Sequence, residues 1–116
     1  MANTLEEVRR ALWGKSHYFD TDTMRFFGSR CGSWVSLRAA EGRKFIACVE
    51  STAASRWGIP RRYRVLIVDM ETGNLARMNG GLSDIMEDDW RSGATARRHL
   101  AKLTPALCVE LMDGRI

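Results

Sequence analysis

Arg61 to Met70, RRYRVLIVDM, followed by Glu71-Thr72-Gly73, is the stretch whose reading decides the fold. Val65, Leu66, Ile67 and Val68 are apolar in succession, so an extended chain here avoids water on both faces, as a central strand does. Arg61, Arg62 and Arg64 mark the end where that strand meets solvent, and alternation places Arg62 and Arg64 on one side of the pleat. Glu71-Thr72-Gly73 is turn chemistry for a short hairpin loop with a bulged glycine. It leads into a further strand, Asn74 to Met78, which Gly80-Gly81 ends.

Working back from this strand, Lys44 to Glu50 alternates Phe45, Ala47 and Val49 against Ile46 and Cys48. From Ser33 the same period places Trp34, Ser36 and Arg38 on one face and Val35, Leu37 and Ala39 on the other, with a turn at Glu41-Gly42 that makes an antiparallel hairpin. Between hairpin and central strand, Ser51 to Pro60 is a loop carrying Trp57, which either plugs the edge of the core or receives a partner.

The segment Lys15 to Arg30, KSHYFDTDTMRFFGSR, gathers aromatic residues, a histidine and two arginines. Asp20 has the chemistry of a helix N-cap, and Phe19 and Met24 stand at the spacing of a hydrophobic staple. With Gly28 as a stop, the segment predicts a two-turn helix over Thr21 to Phe27 that buries Phe26 and Phe27 against the sheet. A capping-box pattern at Thr4 and Glu7 predicts an earlier helix from Leu5 to Trp13.

Downstream, Ile85 to Trp90 reads as a helical turn whose acidic run includes Asp88 and Asp89. Ser92 caps a helix to about Leu103, with Ala96, Leu100 and Leu103 inward and Arg97, Arg98 and Lys102 outward; His99 falls on the outer, solvated side. Ala106 to Met112, ALCVELM, is an apolar run of strand length. These elements predict one α+β domain over residues 1–116, an antiparallel sheet of about four to five strands with helices packed on one face.

Composition sets further bounds. A chain of 116 residues with 45% hydrophobic and 28% charged residues holds one core, and no apolar run approaches a membrane span. The opening MANTLEEVRR lacks the basic and apolar order of a secretory signal, so the cytoplasm of a host cell is the expected compartment. Cys31, Cys48 and Cys108 are too widely spaced for a disulfide framework or a zinc knuckle and are expected as free thiols. The net charge is +4, and Lys15, Lys44 and Lys102 are the only lysines. Arginine suits bidentate contact with phosphate or carboxylate, so an anionic partner fits, as does plain arginine-rich coding.

Two groups of residues bear on function. His17 and Tyr18, with Arg25 and Arg30 nearby, carry a base and phosphate-holding cations, yet no carboxylate or nucleophile stands at a diagnostic spacing. A structural role for Tyr18 and Phe19, with His17 at the rim, outweighs catalysis. The second group is the arginines: Arg61, Arg62 and Arg64 on the sheet, and Arg97 and Arg98 on the last helix. If they converge, they hold phosphates in a salt-dependent manner; if they diverge, they are ordinary solvated charges.

KSHYFDTDTMRFFGSR, with PRRYRVLIVDMETGNL further on, resembles a family of small uncharacterised bacteriophage and mobile-element proteins that share an HYF…DTMRFF…SR segment, a PRRY-type strand and a D…TG hairpin. The likeness spans Lys15 to about Lys102; the first segment is its specific part. It implies an accessory protein and not an enzyme; separately, no cofactor or metal is expected. The expected function is steric binding and inhibition of a host defence complex, in the manner of anti-CRISPR proteins. Trp57, Asp88, Asp89 and Trp90 are then candidate contacts, and a homodimer is compatible with the sequence. The alternative is a small nucleic-acid-binding domain using Arg61, Arg62, Arg64, Arg97 and Arg98. No membrane partner is expected.

Overall fold

The computed structural model describes residues 6, 8–10, 19–20, 25–26, 29–51, 58, 61–78 and 90–114. Its centre is an antiparallel meander of four long strands, β3 (Ser29–Arg38), β4 (Lys44–Ser51), β5 (Tyr63–Asp69) and β6 (Leu75–Met78). Two two-residue strands, β1 (Phe19–Asp20) and β2 (Arg25–Phe26), extend the sheet beyond β3, so the order is β1-β2-β3-β4-β5-β6 with every neighbouring pair antiparallel. Two helices follow, α1 (Gly93–Ala101) and α2 (Pro105–Met112). The α+β class read from the sequence is the class observed.

The sheet is a middle layer. On one face Phe45, Ala47, Val49, Val65 and Ile67 meet Ala96, Leu100, Leu103 and Cys108 from the helices and the turn between them. On the other, Ile46, Cys48, Leu66 and Val68 pack with Val8, which lies in the helical residues 8–10. Alternation along β4 and β5 thus feeds two apolar clusters at once, and each large side chain removed from water contributes roughly 1.5–3 kcal/mol. The helices α1 and α2 lie on one face and the helical residues 8–10 on the other.

The hairpin turns follow from local chemistry. Gly42 (φ 82) and Gly73 (φ 78) adopt the left-handed backbone that their turns require. Asp69 fixes the second turn by accepting from the backbone N–H groups of Glu71 (2.9 Å) and Thr72 (3.3 Å). The third irregularity lies inside β3: Gly32 pairs Val49 and Val35 pairs Ala47, three steps against two, so one extra residue is accommodated as a bulge. Ser33 takes a positive φ of 56 there. The bulge inverts the facing of β3, so Cys31 and Trp34 both join the Val8 side while Val35 and Leu37 turn to the helices.

Three sequence expectations are corrected. Arg25–Phe26 is a strand rather than part of a Thr21 to Phe27 helix: Phe19 pairs Phe26 and Asp20 pairs Arg25. Aromatic residues favour a pleated surface, and so short an apolar run carries no decisive period. Residues 21–24 and 27 lie outside the described set. Trp90 is not helical; it forms an isolated antiparallel bridge with Tyr63. Ala106 to Met112 is helix, not strand, because Thr104-Pro105 is an N-terminal signal as well as a stop. The Thr104 hydroxyl accepts from Leu107 N–H at 3.1 Å, and Pro105 occupies the first turn, where its missing donor costs nothing.

Ser33 is solvent-exposed, so its substitution isolates the backbone conformation. Ser33→Gly is expected to raise unfolding stability by about 0.5–1 kcal/mol, and Ser33→Val to lower it by roughly 1–2 kcal/mol. Urea-unfolding midpoints of the two variants against the parent measure both effects.

Candidate functional site

Glu50 ends the apolar run of β4 and is 1% exposed. Alternation puts it on the same face as Ile46 and Cys48, where an unpaired carboxylate is costly, and two cations answer it. Arg64, its cross-strand partner, brings Nε to 2.7 Å from Oε1 as a charge contact; Arg77 on β6 donates Nε–H to the same oxygen at 3.0 Å. Glu50 Oε2 meets no hydrogen-bond donor among the described residues. Arg64 therefore acts as counter-ion to a buried acid, not as a cation presented to solvent.

A second ionic cluster closes the opposite end of the sheet. Arg43 spans Asp69 (3.1 Å), which is 3% exposed at its side chain, and Asp113 (3.0 Å), and its guanidinium lies 5.2 Å over the Phe45 ring. The hydrogen bonds to Asp113 and then Asp69 hold the Arg43 guanidinium further above its ordinary pKa. This cluster ties both hairpin turns to the end of α2. It has the chemistry of a clasp.

The edge around Tyr63 is built differently. Tyr63 and Trp90 exchange two backbone hydrogen bonds of 2.8 Å, which holds the chain beside β5 just before α1 begins. Ser92 caps α1, its hydroxyl accepting from Thr95 N–H at 3.4 Å. His99 is not solvated as expected: its ring stacks on Trp90 with centroids 4.3 Å apart, and Nδ1 lies 2.9 Å from the Thr95 carbonyl, one helical turn back. Gly93 is where helix and strand meet, since a Cβ there would stand 3.2 Å from Tyr63 Cε1 and 3.3 Å from Arg97 Nη1. Arg97 thus reaches back beside the Tyr63 ring. Arg61, two residues before Tyr63, and Arg91, directly after Trp90, are exposed at the same edge.

The residues singled out in the sequence fall into three groups. Arg61 and Arg97 both stand exposed at this edge, with Trp90 half-buried between strand and helix; Arg61 Nη1 also donates to Ser51 Oγ at 3.5 Å. Arg62 is half-buried, Arg64 is held by Glu50, and exposed Arg98 donates to Thr95 Oγ1 at 3.1 Å on its own helix. Arg25 and Arg30 are register partners on β2 and β3. His17, Tyr18, Trp57, Asp88 and Asp89 lie outside the described residues. Sequence reading missed Glu50, Arg77 and Arg91. The available signal was Glu50 itself, an acid at an inward position of an alternating strand.

Among the described residues no three of His, Cys, Asp and Glu gather as a metal-binding group, and no helix is long and apolar enough to cross a membrane. The three cysteines are free thiols. Burial pushes the Cys108 thiol up to about 11; burial, followed by a hydrogen bond with Cys31, pushes Cys48 well above the usual thiol range. Comparison with known proteins finds no matching family model, no matching curated protein and no matching solved structure.

Removing the acid while leaving its cations is the sharpest test of the Glu50 cluster. Glu50→Ala is expected to cost about 3–5 kcal/mol, since it strands buried charge, and Arg77→Ala less, because Arg64 still answers the carboxylate. Chemical denaturation of both variants gives the comparison, and equal losses would show that the two arginines do not share one acid.

Proposed function

We propose that this chain is a non-enzymatic binding module that holds the phosphates of nucleic acid on the edge around Tyr63. The supporting observation is the gathering of three exposed arginines at one end of the sheet. Exposed Arg61, Arg91 and Arg97 gather at the Tyr63 end. At the other end, where Phe45 pairs Asp69, charges of both signs are mixed: Glu41 and Glu71 in the two turns, Asp113 beside Arg43, and Arg38 opposite Lys44. Such a molecule presents one attractive end to a polyanion, and guanidinium groups suit phosphate geometry. Half-buried Tyr63 and Trp90 sit among these cations, the combination on which nucleic-acid surfaces commonly draw.

Occlusion of a host defence complex, the other reading, draws on the resemblance of KSHYFDTDTMRFFGSR to mobile-element proteins. Of its contact residues, Trp57, Asp88 and Asp89 lie outside the described set and Trp90 is half-buried against His99, while the basic edge rests on described residues.

Fluorescence anisotropy with a labelled 20-mer oligonucleotide tests the proposal. With three phosphate contacts, affinity is expected to fall roughly 20- to 40-fold between about 50 and 200 mM salt. The double variant Arg61→Ala/Arg97→Ala is expected to flatten that salt slope while leaving the unfolding midpoint near the parent's. Absence of binding at about 50 mM salt, or binding indifferent to salt, would overturn the reading.

A further inference from the structure

Cys31 and Cys48 stand on adjacent strands and on the same face of the sheet. Cys31 pairs Glu50, and Cys48 lies two residues before Glu50 on β4, opposite the bulge in β3. Both belong to the apolar cluster that contains Val8, Ile46, Leu66 and Val68, and the two thiols share a hydrogen bond. They differ in access: Cys48 is 0% exposed, whereas Cys31 is partly exposed. An outer thiol that small oxidants reach, touching an inner one that they do not, is the arrangement of a peroxidatic and a resolving cysteine.

We infer that Cys31 and Cys48 form a redox-responsive dithiol that closes to a cross-strand disulfide under peroxide. Hydrogen peroxide oxidises the Cys31 thiolate to a sulfenic acid, and hydroxide leaves as the S–O bond forms. The Cys48 sulfur then displaces the sulfenic oxygen, the S–S bond forms and water departs. In sum, two thiols lose two protons and two electrons, and one peroxide becomes two waters. A thiol reductant reverses the bond by exchange.

Backbone geometry explains why the pair sits where it does. Diagonal neighbours in a regular antiparallel ladder are on the order of 7–8 Å apart, slightly beyond the usual Cα separation of a disulfide. The bulge at Gly32 to Val35 interrupts the ladder beside Cys31 and adds local twist, so the strand yields at the place where closure needs it. Closure is slow at neutral pH, because the buried Cys48 thiol loses its proton reluctantly, and it quickens as pH rises.

The experiment treats the native protein with a few equivalents of hydrogen peroxide, quenches with an alkylating agent under denaturing conditions, and reads intact mass and non-reduced peptides. The expected product is 2 Da lighter (~2 hydrogen atoms lost), carries a peptide linking Cys31 to Cys48, retains one alkylatable thiol at Cys108, and reverts with dithiothreitol. Cys108→Ser keeps the bridge. Cys31→Ser, at the partly exposed position, loses it and keeps the parent's far-ultraviolet circular dichroism. Recovery of all three alkylated thiols, over-oxidised Cys31 without the mass loss, or a bridge involving Cys108 would overturn the inference.

Discussion

The seven-rung antiparallel register between β4 and β5, from Phe45 opposite Asp69 to Ser51 opposite Tyr63, is the constraint from which the remaining structure follows. Because period-two alternation is strict, this one pairing decides what each face must contain. Phe45, Ala47, Val65 and Ile67 demand cover on one side, which α1 and α2 supply; Ile46, Cys48, Leu66 and Val68 demand it on the other, where Val8 packs. A register slip of one residue would expose both sets together, so apolar burial itself specifies the alignment. The same register delivers Glu50 into an apolar layer and leaves the fold to provide Arg64 and Arg77 as its answer.

How much of this is legible in the sequence depends on whether a signal is local. Gly42 and Gly73 announce their turns because only glycine adopts that backbone cheaply, and Ser92 announces α1 because its hydroxyl serves a nearby amide. The long strands are legible because both periods of β4 and β5 are apolar. ALCVELM is not, since an apolar run of eight residues or fewer has no readable phase, and Thr104-Pro105 both ends one helix and begins the next. Phe19, Asp20, Arg25 and Phe26 mislead for a related reason: aspartate and threonine serve turns as well as caps, and the choice is made by pairing with β3.

The candidate site was legible in its parts and not in its assembly. Arg61 and Arg97 stand out as basic residues on separate elements, but their placement at one end of the sheet depends on the Tyr63–Trp90 bridge, which joins residues 27 positions apart. Arg64 shows the converse. Its place in RRYR groups it with Arg61, yet the pleat turns it toward the buried Glu50, so neighbours in sequence serve unrelated purposes. The His99 stack on Trp90 then fixes the helix against the bridge, and a residue that looks peripheral on a helical projection becomes a brace.

The bulge at Ser33 carries a consequence for how this sequence tolerates change over evolutionary time. Replacing the side chain there touches nothing, since Ser33 faces solvent. Deleting the residue would be another matter: the parity of β3 would reverse, and the half of the strand that keeps Val35 and Leu37 on the helix side could no longer be reconciled with the half that keeps Cys31 on the other. Lineages of this chain should therefore preserve the count of residues through this position, while its letter varies among residues that accept a positive φ, such as glycine, asparagine and serine.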